Sequence, residues 1–259
     1  MEIEDDSRHE EIISSNNNDH IHQILRELKG KKISKFILLF LNIVLILIGG
    51  SGGPLILRFY FLHGGKRKWF NAFLQTAGFP FLLVPIFFSF FCRHSRTNRR
   101  RFLLTPTLLL HCTIIGLITG IADYLYSYGL SSLPVSTASL LISLQLGFTA
   151  VFAFFIVKHK FNSFTVNSVV LLTLGAVVLA VHANGDRPDG ESEAKYYLGF
   201  IMKLVASVIY ALVLPLVELM YMRAAQEVTY ALIMEMQFVI GLSATVFCAI
   251  GMAVNKDFQ

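Results

Sequence analysis

The sequence predicts an all-α membrane protein with about seven transmembrane helices. Three observations predict it: long unbroken apolar runs, few charges, and basic residues gathered at the flanks of the runs. Of 259 residues, 54% are hydrophobic and only 15% are charged, where a soluble domain carries about a quarter. Mean hydropathy is +0.61. Crossing a hydrocarbon layer of about 30 Å takes roughly 20 helical residues, and seven runs approach that length: Phe36 to Leu57, Phe70 to Cys92, Pro106 to Tyr128, Pro134 to Val157, Val166 to His182, Tyr197 to Tyr221 and Tyr230 to Val254. A barrel is the weaker alternative, because its strands alternate apolar and polar residues over about ten positions.

Taken in order, residues 1–35 form a polar, acidic segment with an Asn run at Asn16 to Asn18. It lacks the apolar core and cleavage site of a signal peptide, and its composition predicts a disordered tail. Lys29, Lys31, Lys32 and Lys35 precede the first run, and Arg93, Arg96, Arg99, Arg100 and Arg101 lie between the second and third. Basic residues accumulate on cytosolic flanks, so the N-terminus is placed inside. Lys66, Arg67 and Lys68 then fall on the outer side, against the trend. The net charge of +5 is explained by this flanking pattern, and no nucleic-acid partner is expected.

The first run ends in Gly49-Gly50-Ser51-Gly52-Gly53-Pro54. Glycine weakens a helix by about 1 kcal/mol and proline lacks a backbone donor. A broken helix with exposed backbone groups is therefore expected there, the alternative being a closely packed helix end. The third run presents Thr113, Gly116, Gly120, Asp123 and Ser127 on one face; the fourth presents Ser136, Ser139, Ser143, Gly147 and Ala150. Small residues at helical spacing let helix backbones approach. Asp123 and Gln145 stand out from these faces. A carboxylate in the middle of a span costs roughly 2.5–3.5 kcal/mol even on the translocon scale, so it should face a cavity, hold a proton or pair with a cation. Asp123 is the first candidate for binding a proton or substrate, with Gln145 reading a polar edge and Glu218 and Glu235 behind them. Lys203 could snorkel or pair with an acid. Tyr124, with Tyr126 and Tyr128, could stack on a planar ligand.

The fifth run is short, and the segment that follows, residues 184–196, is an acidic loop. In the sixth run, Pro215 to Met222 repeats the pattern of Pro54 to Phe61, with proline, leucine and tyrosine identical; Gln75 and Gln237 correspond one residue out of that register. The sixth span then repeats the first after five helices. An odd number turns the second copy upside down, as in transporters built from inverted repeats. On this reading residues 36–183 are one five-helix repeat. Residues 197–259 are the first two helices of a second, truncated repeat that would need three more.

No catalytic motif is present: no Gly-x-Ser-x-Gly elbow, no His-Glu-x-x-His helix and no phosphate-binding loop. An enzyme is not expected. The three cysteines and scattered histidines offer no metal spacing, and no cofactor is called for.

Longer blocks carry a family resemblance. Gly53-Pro54-Leu55-Ile56-Leu57-Arg58-Phe59-Tyr60-Phe61-Leu62-His63-Gly64-Gly65-Lys66-Arg67-Lys68-Trp69 and Gln75-Thr76-Ala77-Gly78, then Tyr128-Gly129-Leu130, Leu133-Pro134-Val135-Ser136-Thr137, Gln145-Leu146, Phe148-Thr149-Ala150 and Leu171-Leu172-Thr173-Leu174-Gly175-Ala176, resemble the purine permeases of plants, within the drug/metabolite transporter superfamily. The resemblance implies a ten-helix fold of two inverted five-helix repeats. It also implies uptake of purine nucleobases or derivatives such as adenine and cytokinins, driven by protons. The partners expected are a purine-type molecule, protons and the bilayer, with homo-oligomerisation left open and the plasma membrane as the default location. Other readings stay open: a truncated, non-transporting relative or an assembly partner of full-length transporters, a seven-helix receptor, and a carrier of phosphorylated sugars. The last would want buried cations in the spans, where only Lys203 qualifies.

Overall fold

Apolar helices make up the described chain. A computed structural model describes residues 36–94, 104–158, 161–182, 193–223 and 229–257, and no strand occurs among them. In chain order the helices are α1 (Phe36–Leu62), α2 (Lys68–Thr76), a 3₁₀ turn (Phe79–Leu82), α3 (Leu83–His94), α4 (Pro106–Ser132), α5 (Val135–Phe152, continuing as a π-helical turn Ala153–Val157), α6 (Ser163–His182), α7 (Glu193–Arg223) and α8 (Tyr230–Val254). Among the described residues six stretches are long and apolar enough to cross a membrane, α2 to Phe88 counting as one; α6 contributes a shorter apolar segment, Ser163–Gly175. These seven match the seven runs read from the sequence. The tail 1–35, the arginines 96–101 and residues 184–192 of the acidic loop lie outside the described residues.

The chain divides into two compact units, Met1–Gly53 and Pro54–Gln259, with the division inside α1. The first unit contributes a single described stretch of helix. The break expected at Gly49 to Pro54 is not there: the backbone stays helical from Phe36 to Leu62, through Gly49, Gly50, Gly52, Gly53 and Pro54. The glycine penalty is measured against a chain that water can solvate. In hydrocarbon every freed backbone group costs several kcal/mol, and that term wins.

A break appears instead in the second span, at Ala77-Gly78-Phe79-Pro80, where α2 gives way to the 3₁₀ turn. Pro80 cannot donate to the carbonyl of Thr76, and its ring disfavours helix at Phe79. Ala77 closes α2 by donating to Phe73, and Thr76 Oγ1 donates to the same carbonyl at 3.1 Å.

In the second unit α4 is the central helix, packed on α2, α7 and α8. Thr105 caps it, its hydroxyl accepting from Leu108 N–H, with Pro106 in the first turn. Its glycines set the spacing. A Cβ on Gly116 would lie 2.5 Å from the Ile240 carbonyl of α8, and one on Gly129 would lie 2.7 Å from Lys203 Cβ of α7. Gly199 meets Ser132 in the same way. The small face of the third run is thus a packing face. On α5 the outcome differs: Ser136, Ser139 and Ser143 are not buried, while Gly147 meets Thr173 of α6. Two core clusters form. Cys112, Ile115, Met220, Leu232 and Met236 fill one, toward the start of α4; Leu130, Leu133, Leu141 and Ala206 fill the other, toward its end.

Arg58 is 8% exposed, and its Nη1 donates to the carbonyls of Leu130 and Ser131, each at 3.1 Å. These are among the last carbonyls of α4, which have no partner within the helix. A guanidinium there meets both the orphan acceptors and the negative end of the helix dipole. The loop after α1 turns at Gly64, φ +88°, and Gly65 leaves room for the Tyr60 ring. Finally, α7 begins at Glu193, inside the segment assigned to the acidic loop 184–196. An acid in the first turn suits a helix N-terminus, so this loop is shorter than the sequence predicted.

Candidate functional site

The helix break in the second span opens onto a cavity of about 450 Å³ between α2, the 3₁₀ turn, α4 and α8. Its polar wall is Gln75 and Thr76 from α2, Thr119 and Asp123 from α4, and Gln237 from α8; Phe79 adds an aromatic ring. Ligand cavities run about 300–1,000 Å³, mostly apolar with a few placed polar groups, and Leu82, Ile240 and Ala244 supply apolar wall here.

Each wall residue has a local reason for its place. Gln75 Nε2 donates to Ser127 Oγ at 2.9 Å, which holds the amide against α4. Gly241 lets Phe79 approach α8, since a Cβ there would fall 2.7 Å from Phe79 Cβ; the Phe79 ring also meets Phe238 edge-on at 5.4 Å. Asp123 is 6% exposed and accepts a hydrogen bond from the Tyr210 hydroxyl of α7. A buried carboxylate with one donor behind it and a cavity before it can take up a proton or accept from a ligand.

Toward the end of α4 an aromatic layer adjoins this region. Trp69 stacks on Tyr124 with centroids 3.9 Å apart, and its edge meets Phe247 at 5.9 Å. Lys68 Nζ lies 3.3 Å from the centroid of Tyr128.

Of the residues singled out from the sequence as binding candidates, Asp123 alone lines the cavity. Gln145 sits half-buried on α5, away from the cavity wall, and Glu218 is exposed on α7. Glu235 is buried on α8 but is not part of the wall. Tyr124 already stacks on Trp69. The glycines Gly49, Gly50, Gly52 and Gly53 belong to the first unit and to continuous helix. Sequence reasoning missed Thr119, Phe79 and the site role of Gln75 and Gln237. The two glutamines did stand out, as corresponding positions of the internal repeat, and Gly78-Phe79-Pro80 carried a break signal that the longer glycine run overshadowed.

Comparison with known proteins gives a consistent result. A family described as purine nucleobase transmembrane transport matches residues 37–259. Purine permease 3 of Arabidopsis thaliana is 47% identical over 226 residues, covering 86% of this chain and 64% of its own length. Purine permease 2 of the same plant is 47% identical over 229 residues, covering 87% and 64%. Probable purine permease 11, also from Arabidopsis thaliana, is 34% identical over 232 residues, covering 90% and 61%. The chain therefore spans a little under two thirds of the length of these relatives. Matched from the start of its first span through its eighth helix, this multi-pass membrane protein belongs to the purine nucleobase transmembrane transport family.

Proposed function

We propose that the protein carries purine nucleobases or purine derivatives, adenine and cytokinins among them, across the plasma membrane by proton symport. The observation that carries the proposal is a single cavity walled by two amides, a carboxylate and an aromatic ring, in a chain of this family. A purine is planar, with donors and acceptors along its edge. A glutamine amide can donate to and accept from one adenine edge at once, and a phenylalanine ring offers a stacking face. Asp123 is the proton site in this reading, because it is the acid on the wall. Two inverted five-helix repeats remain the proposed architecture. Corresponding glutamines from α2 and α8 meeting at one cavity support it, as a site between two repeats would require.

Labelled adenine uptake in yeast lacking its own purine carrier tests this, with surface expression measured alongside. Gln75→Ala and Gln237→Ala should each lower uptake about tenfold, the loss expected for one or two hydrogen bonds to a ligand. Wild-type uptake that both variants retain would remove the cavity from the mechanism. Absence of uptake in the well-expressed wild-type chain would reject adenine transport by this polypeptide and favour a partner role.

A further inference from the structure

Lys203 has no route to water. It is 0% exposed on α7, the largest fully buried side chain among the described residues, and its Nζ has no hydrogen-bond partner among them. Gly129 of α4 packs against its Cα and Cβ, which fixes the stem. The Nζ lies 2.9 Å from the centroid of Tyr126. A ring face offsets only part of the cost of taking an ammonium out of water. The position is therefore a poor place for a charge that never finds another partner.

The ring that receives it leads to the cavity. Tyr126 meets Tyr210 edge-on, centroids 6.2 Å apart, and the Tyr210 hydroxyl donates to Asp123. Two tyrosines thus stand between the buried Lys203 amine and the Asp123 carboxyl. The groups facing Asp123 can be named helix by helix. From α4 itself comes Tyr126, from α7 Tyr210, from α8 the Cys248 thiol, and from α2 the uncharged Gln75 and Thr76. The cation nearest to hand along this chain of contacts is Lys203.

We propose that Lys203 is the internal counter-cation of Asp123, parked on Tyr126 here and paired with the carboxylate when the cavity is empty and Asp123 carries no proton. A proton arriving at Asp123 neutralises the carboxylate and sends the ammonium back to the ring. The proton's departure lets the pair re-form, so the empty carrier crosses its conformational change with no lone buried charge. This rests on the proton-symport reading and assigns it a second residue. Lys203 is a positioning residue in this scheme and touches no substrate.

A double-variant cycle tests it, using Lys203→Met, Asp123→Asn and the two together. Lys203→Gln substitutes if the Met protein does not reach the membrane. The first readout is adenine uptake against external pH. Each single variant should lose about tenfold and the stimulation by acid, and the double variant should fall no lower than either single one. Losses that multiply to about a hundredfold, or an unchanged pH profile in Lys203→Met, would overturn the pairing. The second readout is the thermal midpoint of the purified proteins in detergent, which needs no transport. Lys203→Met should shift it differently in the wild-type background and in the Asp123→Asn background; equal shifts mean a purely structural lysine and reject the proposal. If the wild-type chain shows no uptake, the symport reading fails, while the thermal cycle still decides the pairing.

Discussion

Asp123 and Arg58 show how one side chain settles whether a charge can live in a span. Asp123 keeps its carboxylate at a cavity wall with the Tyr210 hydroxyl behind it. The amide of Asp123→Asn can accept the same hydrogen bond, so that variant should fold and reach the membrane. It holds no exchangeable charge, so its uptake should lose all dependence on external pH, read as flat uptake between acid and neutral buffers. Arg58 does something else: it closes the end of α4. Arg58→Leu should cost about 2 kcal/mol, the usual worth of hydrogen bonds to a charged group, seen as a lowered thermal midpoint in detergent. In the sequence the arginine stands just after the first apolar run, within a block that carries the family resemblance. Its target carbonyls, at Leu130 and Ser131, lie 72 and 73 positions away, and no local pattern announces such a pairing.

Helices were the most legible level, because length and apolarity alone decide whether a segment can cross lipid. Where they break was less so. The run of glycine, serine and proline from Gly49 to Pro54 in α1 stays helical, while Gly78-Phe79-Pro80 opens the second span. Counting helix breakers by an aqueous scale misjudges both, since a break is tolerated in a membrane only where protein or a cavity receives the freed groups. The cavity supplies that at Pro80. The glycines of α4 permit a sharper forecast. Gly116→Ala puts a methyl 2.5 Å from the Ile240 backbone carbonyl, whereas Gly120→Ala meets the Phe247 ring edge at 2.9 Å and the Ala244 carbonyl only at 3.2 Å. A backbone moves only with its helix, but a ring can turn. Gly116→Ala should therefore cost about 1–3 kcal/mol, as overpacking does, and Gly120→Ala less. Gly175→Ala on α6 has nothing within 4 Å and should be neutral or slightly stabilising. Thermal midpoints of the three purified variants give the order directly.

At the scale of the whole molecule, helix directions within the second unit constrain how its helices can cross. Along α4 from Cys112 to Gly129 and Ser132, its partners on α7 run backward, from Met220 to Lys203 and Gly199. Its partners on α8 run forward, from Ile240 beside Gly116 to Ala244 beside Gly120. So α7 is antiparallel to α4 and α8 is parallel to it. The end of α4 is also the start of α5, with only Leu133 and Pro134 between them. If α5 then crosses, the chain must return before α7 can begin beside Ser132, and α6 is the segment available to bring it back. Its 20 residues span about 30 Å at 1.5 Å per residue, enough for one crossing although its apolar stretch is short. Seven crossings leave the two ends of the chain on opposite sides, whereas six would leave them together. If the N-terminus is cytosolic, as the basic flanks predict, a tag added ahead of Met1 should be shielded from antibody in intact cells. A tag added after Gln259 should be reached. Both tags shielded would mean an even number of crossings, and the inverted-repeat architecture would lose the odd helix number on which it depends.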